Sequence, residues 1–254
     1  MSAHPLLPKL RQLNLSGMLH TLDLRAEQAR TENLSPLEFF ALLLDDELER
    51  RDQQRLARRL ALSGCDPHKS LTLFDFAAAP GVSRSFMTDL AACAFIERHE
   101  NVLICGPTGV GKTHLANALG FEALKRGLRV FSRPMFRLLS DLNMARANGS
   151  YQRHLTAILH CDLLIIDDFG LQPLTPVMIQ DLYEIICERY EQGSIVVTSN
   201  RAFEEWAEVF GNDLLSSAAL DRLTHHAHTL VVQGESYRQI SRRKEALEKA
   251  KSTP

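Results

Sequence analysis

An apolar run, Val102-Leu103-Ile104-Cys105, leads into Gly106-Pro107-Thr108-Gly109-Val110-Gly111-Lys112-Thr113, which leads into Leu115-Ala116-Asn117-Ala118-Leu119. A strand, a glycine-rich turn closing on Gly-Lys-Thr and a helix, in that order, form a P-loop. Glycines let the backbone curl so that successive N–H groups point inward at phosphate oxygens. The helix behind adds the positive end of its dipole. The stretch therefore predicts a nucleoside triphosphate site, cradled by Gly106, Pro107, Thr108, Gly109, Val110, Gly111, Lys112, Thr113 and His114. Lys112 is expected at the β- and γ-phosphates, and the Thr113 hydroxyl on Mg²⁺.

Around this unit, apolar runs alternate with helical periodicity. Strands are expected at Val102–Cys105, Arg129–Phe131, Leu163–Asp167, Ile195–Thr198 and Thr229–Val232. Helices are expected at Lys112–Lys125, Met135–Ala147, about Pro176–Tyr190, Phe203–Val209 and Ser216–Leu223, with a lead-in helix at Ser85–Ile96. That alternation predicts an α/β fold, a parallel sheet covered by helices on both faces.

Residues 1–75 read instead as helical. Leu7, Leu10 and Leu13, then Met18, Leu19 and Leu22, recur at helical spacing. Ser35-Pro36-Leu37-Glu38 carries a capping serine, a proline at the first helical position and a glutamate at the third. A small all-helical domain, 1–75, is expected to contact DNA or a partner, followed by the nucleotide-binding domain, 76–240, and a basic tail, 241–254. Arg50, Arg51, Arg55, Arg58 and Arg59 on the last helix invite a DNA-binding reading, but ion pairing with upstream acids is the stronger one.

Net charge is −2, so any nucleic-acid surface must be local. The five cysteines show no CxxC spacing and lie partly in apolar runs, which suggests reduced thiols and a cytoplasmic setting. No apolar run approaches the roughly 20 residues of a membrane helix, and no signal peptide is visible.

Leu163-Leu164-Ile165-Ile166-Asp167-Asp168 delivers two carboxylates to the C-terminal end of a buried strand, where ligand sites in open α/β sheets form. Asp167 is expected in the Mg²⁺ shell, and Asp168 to polarise the attacking water. Asn200, ending Thr198-Ser199-Asn200, could orient that water; a turn-forming Asn is the better reading of the spacing alone. Arg222, in Asp221-Arg222-Leu223, could reach a neighbouring subunit's γ-phosphate; by spacing alone a surface ion pair is favoured. His225, His226 and His228 precede a strand without ligand-like partners, and read as helix-end or strand-face residues.

In combination these elements resemble the AAA+ ATPases. Within them the chain resembles the IstB-like transposition helper ATPases of insertion sequences, relatives of the DnaC helicase loaders. The resemblance rests on Glu100-Asn101-Val102-Leu103, Gly106–Leu115, Asp162–Gly170, Arg189-Tyr190-Glu191, Thr198-Ser199-Asn200-Arg201, Glu205-Trp206, Asp221-Arg222-Leu223 and Gly234-Glu235-Ser236-Tyr237-Arg238. It extends into the helical region through Glu38-Phe39-Phe40, Glu49-Arg50-Arg51 and Phe74-Asp75-Phe76. The resemblance implies that Lys112 and Thr113 are the Walker A pair and Asp167 the Walker B acid. Asp168 sits where many members carry the longer Glu. Asn200 matches sensor 1, Arg222 matches the arginine finger, and Arg238 is a further candidate arginine.

It further implies ATP and Mg²⁺ as cofactors, a homo-oligomer with ATP between subunits, largely non-specific binding of duplex DNA, and a partner transposase aided in target selection. A replicative helicase loader would share the same core. A nucleotide-switched scaffold with little hydrolysis is the reading that Asp168 keeps open. A small-molecule P-loop kinase would leave Asn200 and Arg222 unexplained.

Overall fold

The computed structural model describes residues 5–234, 236 and 237. Two compact units divide between Arg58 and Arg59. The first contains α1 (Leu7–Gln12), α2 (Ser16–Thr31) and most of α3 (Pro36–Ser63). The Ser35 hydroxyl accepts the Glu38 amide at 3.3 Å, and the Glu38 carboxylate accepts the Ser35 amide at 2.7 Å. This reciprocal capping box starts α3 where the sequence expects it. Met18 and Leu22 of α2 and Leu43 of α3 form the small core, with Leu7, Leu10, Leu15 and Phe39 against it.

A buried carboxylate, Glu47, joins the helices by accepting the Gly17 amide at 2.6 Å. Burial pulls its pKa up, but Arg51, the Gly17 amide and Arg50 outweigh that and leave it below its ordinary value. Arg51 meets Glu47 at 2.7 Å, Arg50 at 3.5 Å, and Arg55 meets Asp52 at 3.1 Å. Arg55 and Asp52 thus form the exposed helix-surface pair expected of a solvated face, whereas Arg50 and Arg51 turn back onto the buried Glu47.

The second unit begins inside α3, not near residue 75. The reason is packing: residues 59–79 lie on the nucleotide-binding fold. The Asn117 side chain accepts the Asp66 amide at 2.9 Å, and His114 Nε2 lies 2.7 Å from the Ser70 carbonyl. Two 3-10 turns, Leu71–Leu73 and Phe76–Ala78, complete this segment. Next come α4 (Arg84–Ala91) and α5 (Ala94–Glu97). The sequence predicts one helix there; Cys93, at φ +63°, breaks it in two.

The chain then alternates: β1 (Asn101–Cys105), α6 (Lys112–Lys125), β2 (Val130–Pro134), α7 (Met135–Ala147), α8 (Tyr151–Leu159), β3 (Leu163–Phe169), α9 (Pro176–Arg189) and β4 (Ser194–Ser199). A 3-10 turn at Phe203–Val209, α10 (Asp213–Thr224) and β5 (Ala227–Val231) follow. All strand pairs are parallel, in the order β2-β3-β4-β1-β5. Pleating sends alternate side chains to opposite faces. Leu103, Cys105, Leu164, Ile166, Ile195 and Val197 form one core with α7, α8, α9 and α10. Ile165, on the other face, packs toward Gly120 of α6. The sheet is thus covered on both sides, as predicted. No helix among the described residues is long and apolar enough to cross a membrane.

Candidate functional site

The strand register sets the site. Cys105 of β1 pairs with Ser199 of β4, and Pro134 of β2 pairs with Asp167 of β3. The C-terminal ends of β2, β3, β4 and β1 therefore lie side by side, beneath the glycine turn that follows β1.

That turn is held from both sides. The Gly106 amide donates to the Ser199 carbonyl at 3.2 Å, and the Tyr237 amide donates to the Gly109 carbonyl at 2.9 Å. Gly111 sits at φ +101°, and a Cβ there would lie 2.7 Å from the Phe74 ring. Glycine is thus required at this position by backbone and by space. α6 starts at the next residue, so its first amides face the turn. Lys112 is only 5% exposed, and its ammonium donates to the Pro107 carbonyl at 2.7 Å.

Opposite the turn, β3 ends in a bulge. Ile166 pairs with Val197 and Phe169 with Ser199, so Asp167 and Asp168 together face Thr198. Asp168 takes φ +54°, a left-handed conformation that aspartate tolerates better than most residues. The Thr113 hydroxyl donates to Asp167 Oδ1 at 2.9 Å, and the Thr198 hydroxyl donates to the same oxygen. The Asp168 amide donates to the Thr198 hydroxyl at 3.1 Å.

These groups open onto one cavity of about 630 Å³. Thr108, Gly109, Val110, Gly111, Lys112, Thr113, His114, Asp167, Asp168 and Asn200 all line it. The volume suits a cofactor-sized ligand. The glycine cradle, the buried lysine and the paired acid and hydroxyl fit a nucleoside triphosphate with a divalent cation. Among carboxylates here, Asp167 is the one joined to the P-loop threonine. Burial at the cradle's base also pushes the Cys105 thiol up to about 11, although the Lys112 charge pulls the other way. That thiol is therefore an apolar floor, not a nucleophile.

Gly106 and Pro107 are not among the lining residues; they turn the chain beneath the cavity. Arg222 is also outside the lining. It sits in the last turn of α10, donates to the Ala218 carbonyl at 2.7 Å and stacks over the Tyr190 ring with its centre 5.9 Å away. Arg238 and the basic tail, 241–254, lie outside the described residues. His225 caps the C-terminal end of α10, and His228 lies in β5, 2.8 Å from Glu100.

Sequence reasoning missed the other wall. Leu73, Phe74, Asp75, Ala78 and Ala79, from the 3-10 segment, line the cavity with Tyr237. The Phe74 ring packs edge-on against His114 and Phe76, at 5.3 and 4.9 Å between centroids. Phe74-Asp75-Phe76 stands out in the sequence through the family resemblance, but nothing in that stretch says that it folds back on the P-loop.

Comparison with known proteins gives the family and the fold. Residues 8–246 match the IstB-like ATP binding protein family. The chain is 38% identical over 251 residues to "Insertion sequence IS21 putative ATP-binding protein" of Pseudomonas aeruginosa, covering 99% of this chain and 95% of that one. It is 37% identical to the counterpart from insertion sequence IS5376 of Geobacillus stearothermophilus, covering 89% and 90%. Among solved structures, the DnaC helicase loader superposes with a TM-score of 0.51 at 22% identity, over 59% of this chain and 87% of that one. DnaI superposes with a TM-score of 0.58 at 20% identity, over 67% and 96%. At these identities the superpositions show a shared fold. With the P-loop cavity in place and the family match spanning nearly the whole sequence, the chain belongs to the IstB-like ATP-binding proteins of insertion sequences.

Proposed function

We propose that this chain is an ATP-hydrolysing, DNA-binding helper that assembles on duplex DNA and assists a transposase in choosing its target. One observation carries the reading. Lys112, Thr113, Asp167, Asp168 and Asn200 converge on a single cavity while Arg222 lies outside its lining. Such a site would hold and orient a triphosphate, yet among the described residues no arginine lines it to offset developing charge. A second subunit presenting its own Arg222 would complete it, so ATP would bind between copies and couple binding to assembly.

Within one subunit, inward amides and Lys112 would hold the phosphates. Asp167 and Thr113 would hold Mg²⁺, which when bound neutralises phosphate charge. Asp168 and Asn200 would orient and polarise the attacking water. The apolar wall of Leu73, Phe74 and Ala78 would take the base.

Arg133 and the exposed Arg137, with Lys69, border an adjoining cavity of about 480 Å³. They are the proposed contacts to DNA phosphates, which would give salt-dependent binding with little sequence preference.

A second reading, a nucleotide-switched scaffold that turns over little ATP, draws on the short carboxylate of Asp168. Turnover with DNA present, compared with Asp168→Asn, separates the two. For the main reading, the size distribution with duplex DNA is measured with ATP, a non-hydrolysable analogue and ADP. Large assemblies only with triphosphate are expected. Mixing Lys112→Ala with Arg222→Ala should restore part of the turnover that each lacks alone. No triphosphate-dependent assembly, and no recovery on mixing, would sink the composite site.

A further inference from the structure

We infer that Thr198 is a positioning residue that sets both carboxylates at the end of β3, and that cation-dependent ATP turnover depends on its hydroxyl. The inference rests on the ATPase reading above and goes beyond it, since in Thr198-Ser199-Asn200 the sequence gives a role to Asn200 alone.

The bulge creates the need. Two residues of β3 face one of β4 there. Asp168 sits at φ +54°, and its amide donates to the Thr198 hydroxyl oxygen at 3.1 Å. The same hydroxyl gives its proton to Asp167 Oδ1. A threonine hydroxyl has one proton to give. Spending it on Asp167 leaves only acceptor capacity toward Asp168, so both contacts are fixed in direction. Asp167 Oδ1 also receives the Thr113 hydroxyl at 2.9 Å.

Thr198 thus links the cation-facing acid and the water-facing acid through one atom. It is 1% exposed and held in register with Ile104 of β1, so the oxygen has little freedom to move. Two donors on Oδ1 restrain the carboxylate's rotation. Loss of such supporting partners costs roughly 10–100-fold in metal affinity or activity.

Thr198→Val keeps the shape and removes the oxygen; Thr198→Ser keeps the oxygen and removes the methyl. In the full chain, ATP hydrolysis is measured against ATP and against Mg²⁺, with fluorescent-ATP binding in EDTA and thermal melting alongside. For Thr198→Val we expect about a tenfold or larger rise in the Mg²⁺ needed for half-maximal turnover and a fall in kcat of about 10–100-fold. Binding in EDTA should stay within about twofold, and Thr198→Ser should behave as wild type. Thr198→Val matching wild type in kcat and Mg²⁺ requirement would overturn the inference. Equal losses in both variants, tracking the melting temperature, would overturn it too, by showing a purely structural role. Should wild type itself lack turnover, the ATPase reading fails separately. The Mg²⁺ dependence of nucleotide binding in Thr198→Val then still decides about Thr198.

Discussion

At one end of the P-loop cavity the walls are strand termini and backbone: the glycine turn after β1, the bulge after Ile166, and the end of β4. At the other end they are side chains from two 3-10 turns, chiefly Leu73, Phe74 and Ala78. The first end holds its polar groups in a closed set of bonds among Thr113, Asp167, Asp168 and Thr198. The second offers mainly apolar surface and ring edges. Chemistry that depends on charge placement needs the rigid end, because a charged group displaced by an ångström loses much of its effect. A flat base needs only shape and burial, which loops can supply.

The comparison breaks most sharply at Lys112. Lys112→Ala removes the buried cation of the cradle, and turnover should fall by on the order of 100-fold or more. A steady-state phosphate-release assay checks this; activity near wild type would mean that the phosphate end is not where the chemistry sits.

A smaller effect should come from the opposite wall. Phe74→Ala should weaken ATP binding by about tenfold while leaving kcat at saturation within about twofold, since an aromatic contact contributes to binding and not to the reacting atoms. Titration with a fluorescent nucleotide and a saturating turnover assay measure the two quantities. A large loss of kcat with unchanged affinity would erase the distinction between the ends.

The smallest effect belongs to the far edge of the sheet, before β1. There Glu100 accepts Arg98 at 2.7 Å and His228 at 2.8 Å, and Arg98 above all holds its pKa down to about 2. A carboxyl whose folded pKa lies below its ordinary 4.5 stabilises the fold fully above pH 4.5 and loses that contribution as pH falls toward 2. Glu100→Gln should therefore melt slightly lower than wild type at pH 7. The gap should close between pH 4.5 and 2, with turnover unchanged at neutral pH. A gap that persists at pH 2, or a changed turnover, would mean that this edge is coupled to the site.

Legibility differed from part to part for physical reasons. α6 and α7 begin and end where periodicity places them, and β3 is recognisable from four consecutive apolar residues, because each is a local pattern. α8 was not expected, although Tyr151, Leu155 and Ile158 share a helical spacing. Its few apolar residues lie in a polar stretch and only acquire meaning against α7 and α9. The lead-in helix breaks at Cys93 because a left-handed residue there has no glycine to announce it. The unit boundary moved to Arg59 because residues 59–75 read as part of the helical region until α6 is present to receive them.

From residues alone came the P-loop, the strand-helix alternation and the two acids after an apolar run, all encoded within a few neighbouring positions. The tertiary structure decided which strands are neighbours, β2-β3-β4-β1-β5, and therefore which distant groups meet. Thr113 reaches Asp167 across 54 residues and Thr198 reaches it across 31. Such contacts depend on strand order, register and a bulge, and these are set by how the whole core packs, since no single segment carries the energy that selects them.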